Sequence, residues 1–138
     1  MSRDALTVQV QVAALPERVW EMLAVDRAGW WPDLVFEPAV GAPLVESWLA
    51  DGRRQTATGT VTRCEPPSRL VFVWREPSWS DDLAVDVEII ASGGRTTVSL
   101  TESGFVGAGS PPELLDAHED GWRYHLARLR RVSEGRRA

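Results

Sequence analysis

The fold is organised around the stretch from Thr101 to Arg131, TESGFVGAGSPPELLDAHEDGWRYHLARLRR. This stretch has the pattern of a strand end, a glycine-rich joint and one long amphipathic helix. Ser110 is suited to cap the helix, Pro111 suits its first turn, and Glu113 would complete an S-x-x-E capping box. We therefore predict a helix over residues 111–133.

The predicted helix has one broad apolar stripe. At roughly 100° per residue, about one third of the circumference is occupied by Leu114, Leu115, His118, Trp122, His125, Leu126, Leu129 and Val132. The opposite side is mostly charged or small. Such a stripe requires a large partner surface, which either fills the space completely or leaves a cavity.

The overall composition is that of an ordinary globular chain. With 138 residues, of which 43% are hydrophobic and 25% charged, we predict a single domain over residues 1–138. The net charge of −5 and the pI near 5.0 argue against nucleic acid or an anionic membrane as the partner. We expect the arginines near the C-terminus to form a solvated helix end that complements the helix dipole.

The cysteine content and the N-terminus bear on the compartment. Cys64 is the single cysteine, so no internal disulfide can form, and a reducing compartment fits. The N-terminal sequence lacks the apolar core of a signal peptide, and no apolar run approaches about 18 residues. We therefore expect a cytoplasmic protein without membrane insertion. The unusual feature is 7 Trp against 3 Phe and 1 Tyr, because large flat rings can form the walls of an apolar pocket.

The rest of the chain predicts one strand, two short helical segments and then a run of strands. Residues 5–14 alternate as a half-buried strand, a short helix begins at Pro16, and residues 27–32 form a second short helix or turn. Further strands are predicted at residues 35–40, 44–50, 55–64, 69–75, 83–91 and 96–103. Tight turns connect these strands and one helix follows them. This order predicts an α+β fold, with a curved antiparallel sheet of about six to seven strands around the C-terminal helix.

Several short pieces of the sequence, in this order, resemble one protein family. They are PERVW at 16–20, WWP at 30–32, Asp51-Gly52, Gly59-Thr60-Val61, PPSRLVFVW at 66–74, TESGF at 101–105, and Gly121-Trp122 before Leu126 and Leu129. No single piece is specific, but the series covers nearly the whole chain. It resembles the activator of Hsp90 ATPase homologue 1-like (AHSA1-like) branch of the START/Bet v 1-like superfamily, also called SRPBCC.

The resemblance implies a helix-grip fold, in which a curved sheet grips the C-terminal helix around a deep cavity. It also implies that a small, largely hydrophobic or aromatic molecule binds in that cavity. Relatives in the superfamily include lipid carriers, plant hormone and allergen proteins, and polyketide aromatases and cyclases. The co-chaperone that gives the family its name carries an additional domain, so we do not expect Hsp90 activation to carry over directly.

The side chains expected to line such a cavity come from the inward sheet face, the joint and the helix. We predict ligand contacts from Trp48, Phe72, Trp74, Trp79, Val85, Val87, Leu100, Phe105, His118, Trp122 and Leu126. The alternative interpretation is that these residues form a packed core without a cavity. The apolar pattern alone does not separate the two.

Four polar residues are candidates for acid–base chemistry. Glu46 and Glu102 lie on strand faces with apolar neighbours, and His118 and His125 lie at the edge of the helix stripe. A carboxylate beside an imidazole in an apolar pocket can act as general acid or base, because burial and pairing move both pKa values towards neutrality. The alternative is that each is simply hydrogen-bonded at a pocket rim.

We predict no metal ion and no cofactor. His118 and His125 are seven residues apart, or about 10 Å along a helix axis, which is too far for one ion. The sequence has no G-x-G-x-x-G after a strand and no P-loop, so nothing supports a nucleotide cofactor.

Three functions remain open at this point. The first is a binding module for a small hydrophobic ligand. The second is an enzyme of the cyclase or hydrolase type that uses an inward histidine or glutamate. The third is a protein-interaction or co-chaperone-like module, a monomer or homodimer, in which exposed tryptophans such as Trp30, Trp31 or Trp79 meet a partner.

Overall fold

A seven-stranded antiparallel sheet packs against one long helix in the computed structural model, which describes residues 3–137. Met1, Ser2 and Ala138, which the predicted domain includes, lie outside the described residues. The helical elements are α1 (Pro16–Trp20), a π-helical turn (Glu21–Val25) and α2 (Pro112–Ser133). The strands are β1 (Ala5–Val12), β2 (Leu34–Phe36), β3 (Pro43–Ala50), β4 (Arg53–Glu65), β5 (Arg69–Arg75), β6 (Leu83–Ser92) and β7 (Arg95–Ser103).

The strand order in the sheet is β1-β7-β6-β5-β4-β3-β2. Chain neighbours from β2 to β7 therefore pair with each other, and β1 closes the far edge against β7. This confirms the predicted α+β helix-grip architecture. The predicted helix boundaries also hold at the C-terminal end, where α2 ends at Ser133.

The inward face of the sheet follows from the alternation of side chains along each strand. One row across the sheet joins Leu6, Glu102, Val85, Phe72 and Val61 through successive cross-strand pairs. All five side chains are buried. A carboxyl group therefore lies in the middle of an otherwise apolar row, which matters for the site described below.

The backbones of the paired strands β4 and β5 come unusually close together at Gly59. A Cβ atom built on Gly59 would lie 1.9 Å from the carbonyl oxygen of Val73, so only glycine fits there. The pairing of β4 with β5 also shifts register between Val61 and Arg63. Such irregularities bend a strand and increase its twist, which helps this sheet to curve around α2.

The joint before α2 differs from the predicted capping box. The hydroxyl of Ser110 donates to the carbonyl of Phe105 at 3.0 Å instead of capping the helix, and the N-cap residue is Pro111, whose side chain has no hydrogen-bonding group. Asp4 completes the joint, because its carboxylate accepts from the backbone N–H of Val106 at 3.0 Å. The capping prediction was wrong because the Ser110 hydroxyl bonds to a carbonyl that precedes the helix and not to a backbone N–H of the first helical turn.

The segment between β1 and β2 is anchored by Arg27. The π-helical turn follows α1 directly in the chain. Residues 27–32, which were predicted to form a second short helix or turn, form turns. The buried guanidinium donates to four backbone carbonyls, those of Leu23, Ala24, Leu34 and Phe36. Four carbonyl acceptors replace the water that this cation loses on burial. The side chain thus fixes the turns that present Trp30 and Trp31 to the interior.

The tryptophans proposed for partner contact are not on the surface. Trp30, Trp31 and Trp79 are exposed to only 2%, 5% and 8%. The indole N–H of Trp30 donates to the carbonyl of Met22 at 2.8 Å. These side chains therefore do not supply the exposed aromatic patch that the interaction hypothesis requires.

Candidate functional site

A pocket of about 360 Å³ opens between the sheet and the first half of α2. It is lined by Trp31, Glu46, Trp48, Ala57, Trp74, Glu76, Trp79, Ala117, His118, Gly121, Trp122 and His125. Five of the 7 tryptophans of the chain are in this set. The unusual tryptophan content is thus concentrated around one opening.

The space deeper between sheet and helix is filled by side chains. A void of only about 10 Å³ remains there, bordered by aliphatic and aromatic side chains of the π-helical turn, the sheet and the second half of α2. Of the eleven predicted ligand contacts, Trp48, Trp74, Trp79, His118 and Trp122 lie on the pocket wall. The structure places the other six in the packed interior, namely Phe72, Val85, Val87, Leu100, Phe105 and Leu126.

Glu102 forms the centre of a buried hydrogen-bond cluster behind the pocket wall. Its side chain is 0% exposed. One carboxylate oxygen, Oε2, accepts from the indole N–H of Trp74 at 2.8 Å. The other, Oε1, accepts from the indole N–H of Trp122 at 2.8 Å and lies 2.8 Å from Nδ1 of His118. Three donors thus compensate this carboxylate for the loss of water, as buried polar groups require.

The contact with Glu102 also assigns the tautomer of His118. A carboxylate can only accept, so Nδ1 carries a proton in this contact, and Nε2 is the nitrogen left for a molecule in the pocket. The ring is held among Trp74, Trp79 and Phe105 at centroid distances of 6.5, 5.6 and 5.5 Å. A positioned imidazole at the edge of a pocket is a suitable proton acceptor.

Trp31 joins the two remaining candidate residues, Glu46 and His125. Its indole N–H donates to Oε2 of Glu46 at 3.0 Å, and its ring stacks on His125 at 3.8 Å with an interplanar angle of 11°. The three side chains come from β3, the turns before β2, and α2. All three side chains line the pocket.

The pocket shifts the pKa values of its ionisable groups. Burial raises the pKa of Glu46 to about 7, assisted by Asp33 and Glu76 and opposed by the Trp31 hydrogen bond and by His118. Burial lowers the pKa of His125 to about 4, and Arg128 adds to this effect. At neutral pH His125 is therefore uncharged, while Glu46 is present in both its protonated and its ionised form.

Glu76, which follows β5, also lies on the pocket wall. Burial raises its pKa, opposed by the nearby His118. No periodicity identifies a residue in a loop as inward-facing, so no sequence pattern predicts Glu76 as a wall residue.

Trp31, Ala57, Ala117 and Gly121 were likewise missed as wall residues. One signal was available for two of them. Ala117 and Gly121 are small residues four positions apart on the helix, beside His118 and Trp122, and such spacing puts both on one face.

Within residues 3–137, no group of three or more His, Cys, Asp or Glu side chains is placed to hold a metal ion. No helix in the described part of the chain has the length and apolar character needed to cross a bilayer.

The curved sheet, the long C-terminal helix and the pocket between them define a helix-grip protein. A sequence model of one helix-grip family, described as activator of Hsp90 ATPase homolog 1-like protein, matches residues 13–134. The chain belongs to this family, as the motifs quoted above predicted. The comparison with curated proteins gave no significant match.

Solved structures with the same fold include three informative neighbours. DynU16, a protein in the dynemicin biosynthetic locus, superposes with a TM-score of 0.80 at 25% identity over 97% of this chain and 49% of that chain. This chain therefore spans about half of DynU16. The Aha1 dimer from Colwellia psychrerythraea gives a TM-score of 0.77 at 17% identity, covering 96% and 97% of the two chains. CalU16 from Micromonospora echinospora gives 0.70 at 20% identity, covering 89% and 71%.

Proposed function

We propose that this protein binds a small, largely hydrophobic or aromatic molecule in the pocket between the sheet and the first half of α2. The observation that carries the proposal is the gathering of five of the 7 tryptophans around one opening of about 360 Å³. This volume lies within the usual range of roughly 300–1,000 Å³ for small-molecule sites. Tryptophan rings offer such ligands a large contact area at little cost in conformational entropy.

The wall is rigid before any ligand enters, which supports the proposal. The indole N–H groups of Trp74 and Trp122 are bonded to Glu102, and that of Trp31 is bonded to Glu46. Side chains that are already ordered lose little freedom on binding, so more of the contact energy remains as affinity. The position of DynU16 in a biosynthetic locus favours a small-molecule ligand as well.

The experiment fills the pocket from Gly121. A Cβ on this residue would meet no atom within 4 Å, so Gly121→Leu adds a side chain to the pocket wall without a clash at its Cβ. The apolar fluorescent probe N-phenyl-1-naphthylamine is titrated into the wild type and the variant. We expect the variant to lose affinity by at least about ten-fold, or 1.4 kcal/mol. Ala127→Leu, on an exposed part of the same helix, is the control and should leave the affinity unchanged.

Native mass spectrometry of the protein purified without denaturation complements the titration by detecting a ligand that co-purifies. Unchanged probe affinity in a folded Gly121→Leu protein would contradict the proposal. So would the absence of probe binding to the wild type.

A second candidate function is proton transfer to or from the bound molecule, as in an enzyme of the cyclase or hydrolase type. The specific observation in its favour is that Glu102 orients His118 by a 2.8 Å contact, while Glu46 on the same wall has a pKa of about 7. A group whose pKa lies near the working pH serves well as acid or base. In this function His118 is the base and Glu46 the acid.

The test of this candidate uses whichever ligand the pocket is found to bind. His118→Gln and Glu46→Gln should abolish its turnover, or exchange of its acidic protons with deuterium, while affinity stays within about ten-fold. Exchange or turnover that persists in both variants would leave binding as the function.

A further inference from the structure

The ionisable side chains that the structure describes on the pocket wall are carboxyl groups and histidines, and none of them is a lysine or arginine. The carboxyl groups are those of Glu46 and Glu76. Glu102 adds a third carboxyl group directly behind Trp74 and Trp122. The nearby Arg128 is turned away, because its guanidinium donates to the carbonyl of Trp30 and the hydroxyl of Tyr124.

The wall is also richer in hydrogen-bond acceptors than in donors. Three of the five indole N–H groups are bonded to carboxylates and are therefore not free for a ligand. Among the described residues, the wall donors without a partner are the indole N–H groups of Trp48 and Trp79 and the ring N–H of His125. The acceptors are Oε1 of Glu46, the carboxylate of Glu76, the second ring nitrogen of His125 and, in the neutral ring, Nε2 of His118. A ligand that donates hydrogen bonds is matched by this wall, whereas a carboxylate or phosphate would meet like charge.

Tryptophan rings themselves favour a cation. The π-face of an indole carries negative electrostatic potential and attracts an ammonium group placed over it, more strongly than the other aromatic side chains do. Tryptophans and carboxylates lie together around this opening. From this combination we infer that the pocket selects an apolar or aromatic molecule carrying a positively charged amine. The inference rests on the binding function proposed above and names the class of its ligand.

A preference for a cation makes the binding affinity depend on pH. The titratable groups that act on Glu46 are Asp33, Glu76 and His118, and the Trp31 N–H donates to it. A bound ammonium next to Glu46 favours its ionised form and therefore lowers its pKa from about 7. Protons are released on binding, so the affinity for an amine should rise with pH across neutrality, while the affinity for an uncharged analogue should not.

The experiment compares three molecules of similar shape by isothermal titration calorimetry at mildly alkaline pH. They are 1-naphthylmethylamine, which is a cation there, 1-naphthalenemethanol, which is neutral, and 1-naphthoate, which is an anion. We expect the amine to bind at least about ten-fold more tightly than the alcohol, and the naphthoate to bind most weakly.

The outcomes separate this inference from the proposed function. An alcohol or naphthoate that binds as tightly as the amine would overturn the charge preference and leave pocket binding intact. Failure of all three to bind would overturn both.

Variants then test whether the carboxylates cause the preference. Glu46→Gln and Glu76→Gln should each reduce the ratio of amine to alcohol affinity by about three-fold or more. Asp120→Asn removes the same charge from an exposed position on α2 that does not line the pocket. The affinity ratio should be unchanged in this control. A ratio that falls equally in all three variants would show a general charge effect and contradict the inference.

Discussion

The two halves of the space between the sheet and α2 have different interiors. Between Leu126 and the sheet residues Phe72 and Leu100 the space is filled, with a void of only about 10 Å³. Around His118 and Trp122 the same two layers leave an opening of about 360 Å³. The difference lies in the side chains. In the filled half aliphatic and aromatic groups pack against each other, whereas in the open half carboxyl groups hold three of the indole rings and small residues leave room. A helix on a sheet thus forms either core or pocket, depending on how its largest side chains are held.

The filled half should be the more sensitive to truncation. Phe72→Ala removes a ring that is 2% exposed and leaves a cavity in a packed region, which should cost about 3–5 kcal/mol of unfolding free energy. Urea denaturation followed by circular dichroism measures the loss. Trp48→Ala, on the half-exposed rim of the pocket, is the matched comparison and should cost less. Equal losses at the two sites would show that the halves do not differ in packing.

Glu102 is the residue that holds the rings of the open half. Glu102→Leu removes the acceptor of two buried indole N–H groups and of Nδ1 of His118. Unsatisfied buried donors should cost roughly 2–4 kcal/mol of stability, measured again by urea denaturation. Glu102→Gln retains one acceptor oxygen and should lose less. A neutral effect of Glu102→Leu would mean that the rings keep their places without the carboxylate.

The open half should also determine how stability changes with pH. The folded-state pKa of Glu46, about 7, exceeds its ordinary value of 4.5, so the folded state retains a proton that the unfolded chain has lost. Glu46 therefore makes stability fall as the pH rises from about 4.5 to 7. The pKa of His125, about 4, lies below its ordinary value of 6.5. His125 therefore makes stability rise between about pH 4 and 6.5.

The two contributions oppose each other, so we expect a shallow profile in the wild type. Glu46→Gln should make the slope of unfolding free energy against pH more positive, and His125→Gln should make it more negative, by up to about 1 kcal/mol per pH unit. Denaturation at several pH values between 5 and 6.5 measures the slopes. Phe72→Ala provides the control, since an apolar truncation in the filled half should shift the profile without changing its slope.

The smallest expected effect concerns the unfilled space itself. Gly121→Ala adds a methyl group that meets no neighbouring atom and replaces a poor helix former with the best one. It should therefore stabilise the protein by roughly 0.5–1 kcal/mol, seen as a higher midpoint in urea. The same change at Gly59, where the added atom would overlap the Val73 carbonyl, should destabilise strongly. A loss of stability in Gly121→Ala would mean that the space beside Gly121 does not accommodate a methyl group.

The architecture could be predicted because it depends on local patterns. Alternation set the strand faces, Asp51-Gly52 marked a hairpin, and the 3.6-residue period marked α2. The same alternation put Glu102 on the inward face with Val98 and Leu100, and the structure agrees. The capping box failed because the hydroxyl of Ser110 had a second possible partner, the carbonyl of Phe105, which no local pattern reveals.

The site could be predicted only in part, because it depends on contacts between distant segments. The sequence proposed Glu46, Glu102, His118 and His125 separately. Their grouping requires Trp31 to stack on His125 and to bond Glu46, and these residues come from three separate elements. Whether an inward side chain faces an opening or fills the core depends on the summed volumes of the many side chains around it. The sequence does not show which side chains become neighbours, so it does not show those volumes.

The cluster around Glu102 has an optical consequence. It fixes the rings of Trp74 and Trp122 with centroids 5.8 Å apart and planes 31° from parallel. Two identical chromophores at such a short distance and in a fixed chiral arrangement share their electronic excitations. Their absorption bands then split into a pair of opposite sign in circular dichroism. The pocket wall therefore has an intrinsic circular dichroism signal. A rotation of either ring should change this signal, so the movement can be followed without an added label.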